Sequence, residues 1–260
     1  MKISVLTNNI PGNGFKAEHG FSLYIEVKRR RILFDTGSTD IYLSNAQKLG
    51  LDIQKNIDTV VLSHGHWDHG NGLRFIENKT VITHPGAFVK RYHRNEKNNL
   101  GICFSGEELK QKHHVITSAE PHRISDDIIY LGYIPRLNDF ESLTTPFVDD
   151  AGNPDFVDDD SALVIVKNKA LIVISGCAHS GICNTISYAM HITGIRKIHA
   201  VIGGFHLKLD NRQTHETINC MKQLAIERIY PAHCTSVLVQ QMFFSELGGN
   251  EVRAGMSLDV

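Results

Sequence analysis

Apolar and β-branched stretches recur along the 260-residue chain and predict its strands. A short apolar run, continuous or alternating with polar residues, is typical of a strand. Such stretches are, in chain order, KISVLT, HGFSLYIEV, RRILFDTG, IDTVVLS, KTVITHP, HHVITS, IIYLGYI, SALVIVKNKALIVIS, KIHAVIGG and RIYPAH. Within the longest of them, Lys167-Asn168-Lys169 predicts a hairpin tip between two strands.

Segments between these strands predict helices. Residues 39–49 are followed by Gly50, a residue type that commonly ends a helix. ICNTISYAMHITG and TINCMKQLA predict two more helices, whereas residues 87–112 are polar and are expected to be helix or loop. Meandering strands with a few helices outside them predict an α/β protein with two sheets between helices. Residues 1–260 contain no repeat or linker, so a single domain is expected.

Composition narrows the class of protein. The chain is 42% hydrophobic and 21% charged, and its formal net charge of −1 gives no support for bulk nucleic-acid binding. We find no apolar run of membrane-spanning length, and the N-terminus predicts a first strand in place of a signal peptide. Five scattered cysteines without a C-x-x-C pair are typical of a reducing cytoplasm. We therefore expect a cytoplasmic protein with a small-molecule partner, and its oligomeric state stays open.

The strongest chemical signal is the loop LSHGHWDHGNG at residues 62–72. Three imidazoles and one carboxylate fall within six positions directly after a predicted strand, namely His64, His66, Asp68 and His69. Loops at strand ends often carry functional residues. Imidazole binds zinc, iron, nickel or copper, and carboxylates suit harder ions. The loop therefore predicts a metal site, with a structural, pH-sensitive loop as the alternative.

Four further residues follow apolar strands in the same way. His179 lies in SGCAHSGI, His206 in GGFHL and His233 in PAHC, each with glycine or proline nearby. Asp35 follows a strand in ILFDTG. One such residue would be a weak signal, but together they predict convergence on one rim with the histidine loop.

These motifs resemble those of the metallo-β-lactamase superfamily. HGHWDH is similar to its H-x-H-x-D-H metal motif, LFDTG resembles the strand and turn upstream, and RIYPAH resembles the late strand that delivers the last histidine ligand. Six stretches along nearly the whole chain resemble the branch labelled metal-dependent hydrolases of β-lactamase superfamily II: AEHGFSLYIE, LSHGHWDHGNGL, DDDSALVI, SGCAHSGICNTI, VIGGFHL and PAHCTS. The resemblance implies the αββα four-layer sandwich of the metallo-β-lactamase fold.

The resemblance also implies a metal ligand set. His64 and His66 match the pair that binds a first metal ion, Asp68 and His69 match the pair for a second, and His233 matches the closing ligand. One or two divalent ions are therefore expected, with zinc favoured and manganese or iron as alternatives.

Two positions depart from the superfamily pattern. Where a histidine usually precedes a late strand, this chain has consecutive aspartates, so Asp159 and Asp160 are possible ligands or neighbours of ligands. Where a bridging aspartate usually follows the next strand, this chain has Cys177, and we infer that His179 supplies the missing imidazole. Cys177 is interpreted either as a thiolate ligand or as a buried thiol beside the metal.

The implied function is metal-dependent catalysis on a small, phosphorylated or pterin-like molecule. Two metal ions about 3.5–4 Å apart would polarise a substrate oxygen and supply a hydroxide near neutral pH, which serves hydrolysis. The branch also includes archaeal enzymes that resemble dihydropteroate synthase in reaction and join a reduced pterin to a ribofuranosyl-aminobenzene phosphate. Transfer with loss of pyrophosphate is therefore the second reaction that the resemblance allows.

Three residues receive expected roles in this chemistry. Asp68 is expected to act as a ligand in either reaction and as a proton acceptor in hydrolysis. His206 is expected to bind a substrate phosphate or stabilise an oxyanion, with metal ligation or a structural loop role as the alternatives. Asp35 is expected to orient a ligand histidine, with capping of the following helix as the alternative. The alternative function is an iron-loaded redox protein, or one that binds oxygen or nitric oxide.

Overall fold

The computed structural model describes residues 1–258 and 260 and contains, within them, fifteen strands and seven α-helices. The strands are β1 (Lys2–Thr7), β2 (Ser22–Val27), β3 (Arg30–Phe34), β4 (Thr59–Val61), β5 (Thr80–Thr83), β6 (Arg91–His93), β7 (His114–Thr117), β8 (His122–Ser125), β9 (Ile128–Tyr130), β10 (Phe147–Asp149), β11 (Ala162–Lys167), β12 (Ala170–Ser175), β13 (Ile198–Gly204), β14 (Arg228–Ala232) and β15 (Ser257–Leu258). The helices are α1 (Ile41–Lys48), α2 (Ile53–Asn56), α3 (Trp67–Gly70), α4 (Gly106–Lys112), α5 (Ile182–Thr193), α6 (Arg212–Gln223) and α7 (Val237–Leu247).

Two compact units make up the chain, and each contains its own sheet and helices. Unit 1 comprises Met1–Ser118, Pro146–Asp155 and Val252–Val260. Unit 2 comprises Ala119–Thr145 and Phe156–Glu251. The expectation of a single domain over residues 1–260 stays a prediction.

Unit 1 contains a seven-stranded sheet in the order β15-β1-β2-β3-β4-β5-β7 and a small sheet of β6 and β10. Strands β3, β4, β5 and β7 run parallel to one another, whereas β3 pairs antiparallel with β2. The register pairs Phe34, the last residue of β3, with Val61, the last residue of β4. Because the carboxyl ends of parallel strands meet at one edge, Asp35 and the histidine loop leave the sheet side by side.

Unit 2 contains a six-stranded sheet in the order β14-β13-β12-β11-β9-β8. Strands β12, β13 and β14 are parallel, and Gly203 of β13 pairs with Ser175 on one side and Pro231 on the other. The segments that follow these three strands therefore leave the sheet at the same edge and at nearly the same level.

The core of unit 2 shows why the apolar runs form their elements. Helix α5 buries Ile182, Ile186 and Ala189, which lie on one helical face at spacings of four and three residues. This face packs in one cluster with buried side chains of β12, such as Val173. A fully buried side chain of this size contributes about 1.5–3 kcal/mol, so this cluster is a main source of stability. Gly194, with φ +70°, ends the helix.

The α/β class predicted from the sequence is confirmed, and so are several elements in detail. The predicted hairpin tip lies between β11 and β12, with Asn168 and Lys169 at positive φ. The predicted helix 39–49 is α1. Residues 87–112, expected to be helix or loop, contain strand β6 as well as α4, because β6 pairs with the distant β10. None of the described helices has the length and apolar composition needed to cross a membrane.

Candidate metal centre

The histidine loop of unit 1 leads from β4 into the short helix α3 and buries all four predicted donors. The exposed fraction is 0% for His64 and His69 and 6% for His66 and Asp68. His64 Nε2 lies 2.9 Å from His66 Nδ1, and the rings of His64 and His69 have centroids 4.3 Å apart. The loop therefore brings three imidazoles and one carboxylate together in a place shielded from solvent.

Close packing of the backbone explains the glycine between the first two histidines. A Cβ atom at Gly65 would lie 1.8 Å from the carbonyl oxygen of Ala87, far inside van der Waals contact. Any larger residue would push this loop away from the segment that follows β5. The position of His64 and His66 therefore depends on glycine at residue 65.

Asp35 holds the loop from the end of the neighbouring strand β3. Its carboxylate accepts hydrogen bonds from the backbone N–H and the hydroxyl of Ser63, at 2.7 Å each, and lies 2.7 Å from His69 Nδ1. Because a carboxylate only accepts, the proton of His69 sits on Nδ1, and Nε2 is left as an electron-pair donor. The N-cap residue of α1 is Asp40, so the Asp35 carboxylate contacts the loop and not that helix.

Burial sets the protonation state of the histidine at the centre of this group. Desolvation lowers the pKa of His64 well below its usual range, and the positive charges of His69 and His66 act in the same direction. A neutral imidazole is the form that binds metal ions. The site therefore favours the ligand form of His64 even in mildly acidic solution.

One neighbour of this group carried no assigned role in the sequence. His19 Nε2 lies 3.1 Å from Asp68 Oδ2, and the His19 ring is 5.7 Å from the Trp67 ring. Asp68 Oδ2 also lies 3.8 Å from His69 Nε2. The signal available for His19 was its place in the motif EHG directly before β2, which identifies no partner by itself.

The predicted residues of unit 2 follow its parallel strands. Cys177 and His179 follow β12, His206 follows β13 and His233 follows β14. The rings of His179 and His206 have centroids 4.4 Å apart.

These segments also have an unusual backbone. Ala178, His206 and His233 all have φ near +50°, a region that residues other than glycine seldom adopt. Strained backbone of this kind collects at functional sites, which supports a functional role for all three segments.

Cys234 is a residue of this group that the sequence did not single out. Burial acts to raise the pKa of its thiol, but hydrogen bonds with Cys177 and His206 and the nearby charges of His206 and His233 lower it well below its usual range. Its place directly after His233 was the signal that was available. The structure therefore places two cysteines, not one, beside the predicted histidines.

The aspartates that replace the superfamily's usual histidine are both buried in unit 2. Asp160 Oδ2 accepts a hydrogen bond of 2.9 Å from the backbone N–H of Ser180. Burial raises the pKa of Asp160 to about 6, although hydrogen bonds from the backbone of Ser180 and His179 oppose the shift. Asp159 is 2% exposed. The Asp160 carboxyl group lies against the segment that carries His179, and both aspartates stay candidates for support of that segment or for metal binding.

The donors of unit 1 fit a divalent metal ion. The imidazoles are buried, His64 is held neutral, and the Asp35–His69 pair is the carboxylate–histidine arrangement that orients metal ligands. The donor set is nitrogen with carboxylate oxygen, which suits zinc, iron or manganese.

Two known proteins are similar to this chain over most of its length. The chain is 36% identical over 244 residues to an uncharacterised protein of Methanocaldococcus jannaschii, with 90% of both chains covered. It is 33% identical over 270 residues to the 7,8-dihydropterin-6-methyl-4-(beta-D-ribofuranosyl)-aminobenzene-5'-phosphate synthase of the same organism, with 95% of this chain and 91% of the relative covered.

A solved structure and a family model extend the comparison. The structure of Tm1679, a metal-dependent hydrolase of the beta-lactamase superfamily, superposes with a TM-score of 0.88 at 31% identity over 100% of this chain and 99% of that one. The predicted metallo-β-lactamase fold is thereby confirmed. The model of the metallo-beta-lactamase superfamily matches residues 16–189, a range that includes the histidine loop and Cys177. On these sequence and structural grounds the chain belongs to the metallo-β-lactamase superfamily.

Proposed function

We propose that this chain is a metal-dependent enzyme that acts on a small phosphorylated or pterin-like substrate. The observation that carries the proposal is the buried histidine loop with its Asp35–His69 pair, since it fits a metal ion. The substrate class rests on the name of the synthase that is 33% identical over 95% of the chain.

The proposed ligands in unit 1 are His64, His66, Asp68 and His69. His179 and His233 of unit 2 are proposed as further ligands on the strength of the sequence motifs alone. One or two ions are expected, with zinc favoured over manganese or iron. A bound divalent ion supplies Lewis acidity, which polarises a substrate oxygen, neutralises a leaving phosphate and lowers the pKa of water.

The chain's own residues have separate tasks in this proposal. Asp35 keeps the Nδ1 proton of His69 in place, so that Nε2 would be available to bind the ion. Asp68 Oδ2 lies 3.1 Å from His19 Nε2; this carboxylate would help to hold the ion and, in hydrolysis, would accept a proton from the attacking water. His206 donates a hydrogen bond to a substrate phosphate or to a developing oxyanion.

Two reactions are consistent with these residues, and the description of one relative supports each of them. Transfer with loss of pyrophosphate corresponds to the synthase named above, and we place it first because the name of that relative specifies a product, which the description of Tm1679 does not. Hydrolysis corresponds to the description of Tm1679. A bound ion would neutralise the leaving group in the first reaction and would lower the pKa of the attacking water in the second.

The test combines metal analysis with a substrate screen. Protein purified without added metal is measured by mass spectrometry and then assayed on pterin pyrophosphates with an aminobenzene partner, on phosphoesters and on lactones. His64→Ala and His66→Ala should each remove most of the bound metal and at least about a hundredfold of activity, because weaker changes around ligands already cost 10–100-fold.

The matched control is His114→Ala, which changes an exposed histidine of the same unit. It should leave both the metal content and the activity at the wild-type level. Full activity with undiminished metal in either loop variant would contradict the proposed site. Activity on none of the three substrate groups would contradict the proposed substrate class.

A further inference from the structure

Three neighbouring strand ends of unit 2 carry soft metal donors at the same offset. Cys177 lies two residues beyond Ser175 of β12, His206 two beyond Gly204 of β13, and Cys234 two beyond Ala232 of β14. The parallel register keeps these strand ends level to within one residue, because Gly204 pairs with Ala232 and Gly203 pairs with Ser175. Similar offsets on nearly level strands bring the three donors close together.

The donor atoms meet the distance requirement for one metal ion. The two Sγ atoms and an imidazole nitrogen of His206 all lie within 4.8 Å of one another. Zinc–sulfur bonds of about 2.3 Å in a tetrahedral site place two sulfurs about 3.8 Å apart. Small side-chain rotations therefore suffice to close the three donors on an ion, with Cys177 buried and the other two residues half-buried.

The backbone around the donors is built for close approach of the three segments. The N–H of His206 donates to Cys234 Sγ at 3.3 Å, the kind of hydrogen bond that supports a metal-bound thiolate. A Cβ atom at Gly204 would lie 2.5 Å from Cys234 Sγ and 2.5 Å from the carbonyl oxygen of Gly176. Glycine is therefore required at the end of β13 for the two cysteine segments to pack around it.

We propose that Cys177, His206 and Cys234 form a thiolate-containing site for a soft divalent ion such as zinc. The ligand set differs in every residue from that proposed for the histidine loop, and two thiolates select zinc or cadmium over magnesium or manganese. Metal binding requires both cysteines as thiolates, so affinity rises with pH until both thiols have lost their protons. Three protein donors leave a fourth position for water or a substrate oxygen.

This site is compatible with the role of His206 in the proposed function. An imidazole binds an ion through one ring nitrogen, and the N–H of the other nitrogen stays available as a donor. His206 then contacts both the ion and the substrate phosphate.

The first experiment titrates the reduced, metal-free full chain with Co²⁺ and records the thiolate-to-cobalt charge-transfer absorption. Wild type and Cys103→Ser, which changes an exposed cysteine, should show this band. Cys177→Ser and Cys234→Ser should lose it and bind one zinc fewer per chain by mass spectrometry. The double variant His64→Ala/His66→Ala should keep the band, which separates this proposal from that for the histidine loop.

A second measurement needs no variant and covers the case in which a serine variant fails to fold. Alkylation of each cysteine in folded wild-type protein is followed by mass spectrometry with and without Zn²⁺. Zinc should slow alkylation of Cys234 about tenfold or more, because the free thiolate is the reactive form. Cys220, also half-buried, is the matched control and should react at an unchanged rate. A wild type without the cobalt band, a band that survives both serine substitutions, or unprotected Cys234 would overturn the proposal.

Discussion

Replacement of Asp35 by asparagine isolates the carboxylate that positions His69. The wild-type carboxylate is fully buried and accepts from three groups, namely the N–H and hydroxyl of Ser63 and Nδ1–H of His69. Asparagine has nearly the same shape, but one of its two side-chain ends is a donor. When the amide oxygen accepts from the Ser63 N–H, the amide NH₂ faces two groups. The Ser63 hydroxyl rotates to accept a hydrogen bond from it, but His69 accepts one only if its Nδ1 gives up its proton.

The consequence for His69 follows from its tautomers. A neutral imidazole that accepts at Nδ1 carries its proton on Nε2, so Nε2 no longer offers an electron pair to a metal ion. Restoring the ligand tautomer leaves two donors facing each other in a buried place, which costs about 1–3 kcal/mol. We therefore expect Asp35→Asn to bind metal about 10–100-fold more weakly, which corresponds to about 1.4–2.7 kcal/mol.

The assay is competition for zinc between the protein and a chelator, together with urea unfolding of the metal-free protein. Asp52→Asn is the control, because Asp52 caps α2 by accepting from the Lys55 N–H and asparagine caps equally well. Asp52→Asn should change neither the affinity for zinc nor the free energy of unfolding. An Asp35→Asn protein with wild-type resistance to the chelator would refute the reasoning and reduce Asp35 to a purely structural residue.

Three further predictions concern packing and charge. Gly65→Ala should lose bound metal and stability, since its Cβ meets Ala87 O at 1.8 Å; undiminished metal content by mass spectrometry would contradict this. Burial raises the pKa of Asp160 from 3.8 to about 6, so this carboxyl group stabilises the fold most below about pH 4, and that contribution disappears as the pH rises through 6. In urea titrations, the free energy of unfolding of the metal-free wild type, relative to that of Asp160→Asn, should thus fall by up to about 3 kcal/mol from about pH 4 to pH 7. A difference that stays constant with pH would contradict this prediction. Arg91→Met should destabilise the protein by up to about 3 kcal/mol, because it breaks the 2.9 Å contact between Nε of the buried Arg91 and Oδ2 of the half-buried Asp155. A second change, Asp155→Leu, should recover most of that loss, and a double variant no more stable than Arg91→Met would contradict this reasoning.

The sequence pattern alone was enough to predict elements that form through interactions between residues close together in the chain. The hairpin at Asn168 and Lys169 could be predicted because two apolar strands flank a polar tip. In the structure both tip residues have positive φ, as tight hairpin turns require. The histidine loop was readable because its donors lie within six residues of one another. Helix α7 was missed, although Ser236 caps its start and Gly248 its end, because its apolar residues show no clear helical period.

Contacts between distant parts of the chain were beyond the sequence. Strand β15 pairs with β1 through Ile3 and Leu258, and the sequence of neither segment identifies the other as its partner. The sequence left Asp35 either as a helix cap or as a partner of a histidine, and only the parallel pairing of β3 with β4 placed it 2.7 Å from His69.

The same distinction applies to the chemistry of unit 2. Residue types and their positions after apolar strands sufficed to mark Cys177 and His206 as candidates, because a strand end followed by glycine is a local signal. That Cys234 lies with them was decided by the order β14-β13-β12 and its register, which bring three strand ends from separate parts of the sequence to one edge. Strand order depends on how sheets and helices share a buried core, and that free energy belongs to the whole fold rather than to any one segment.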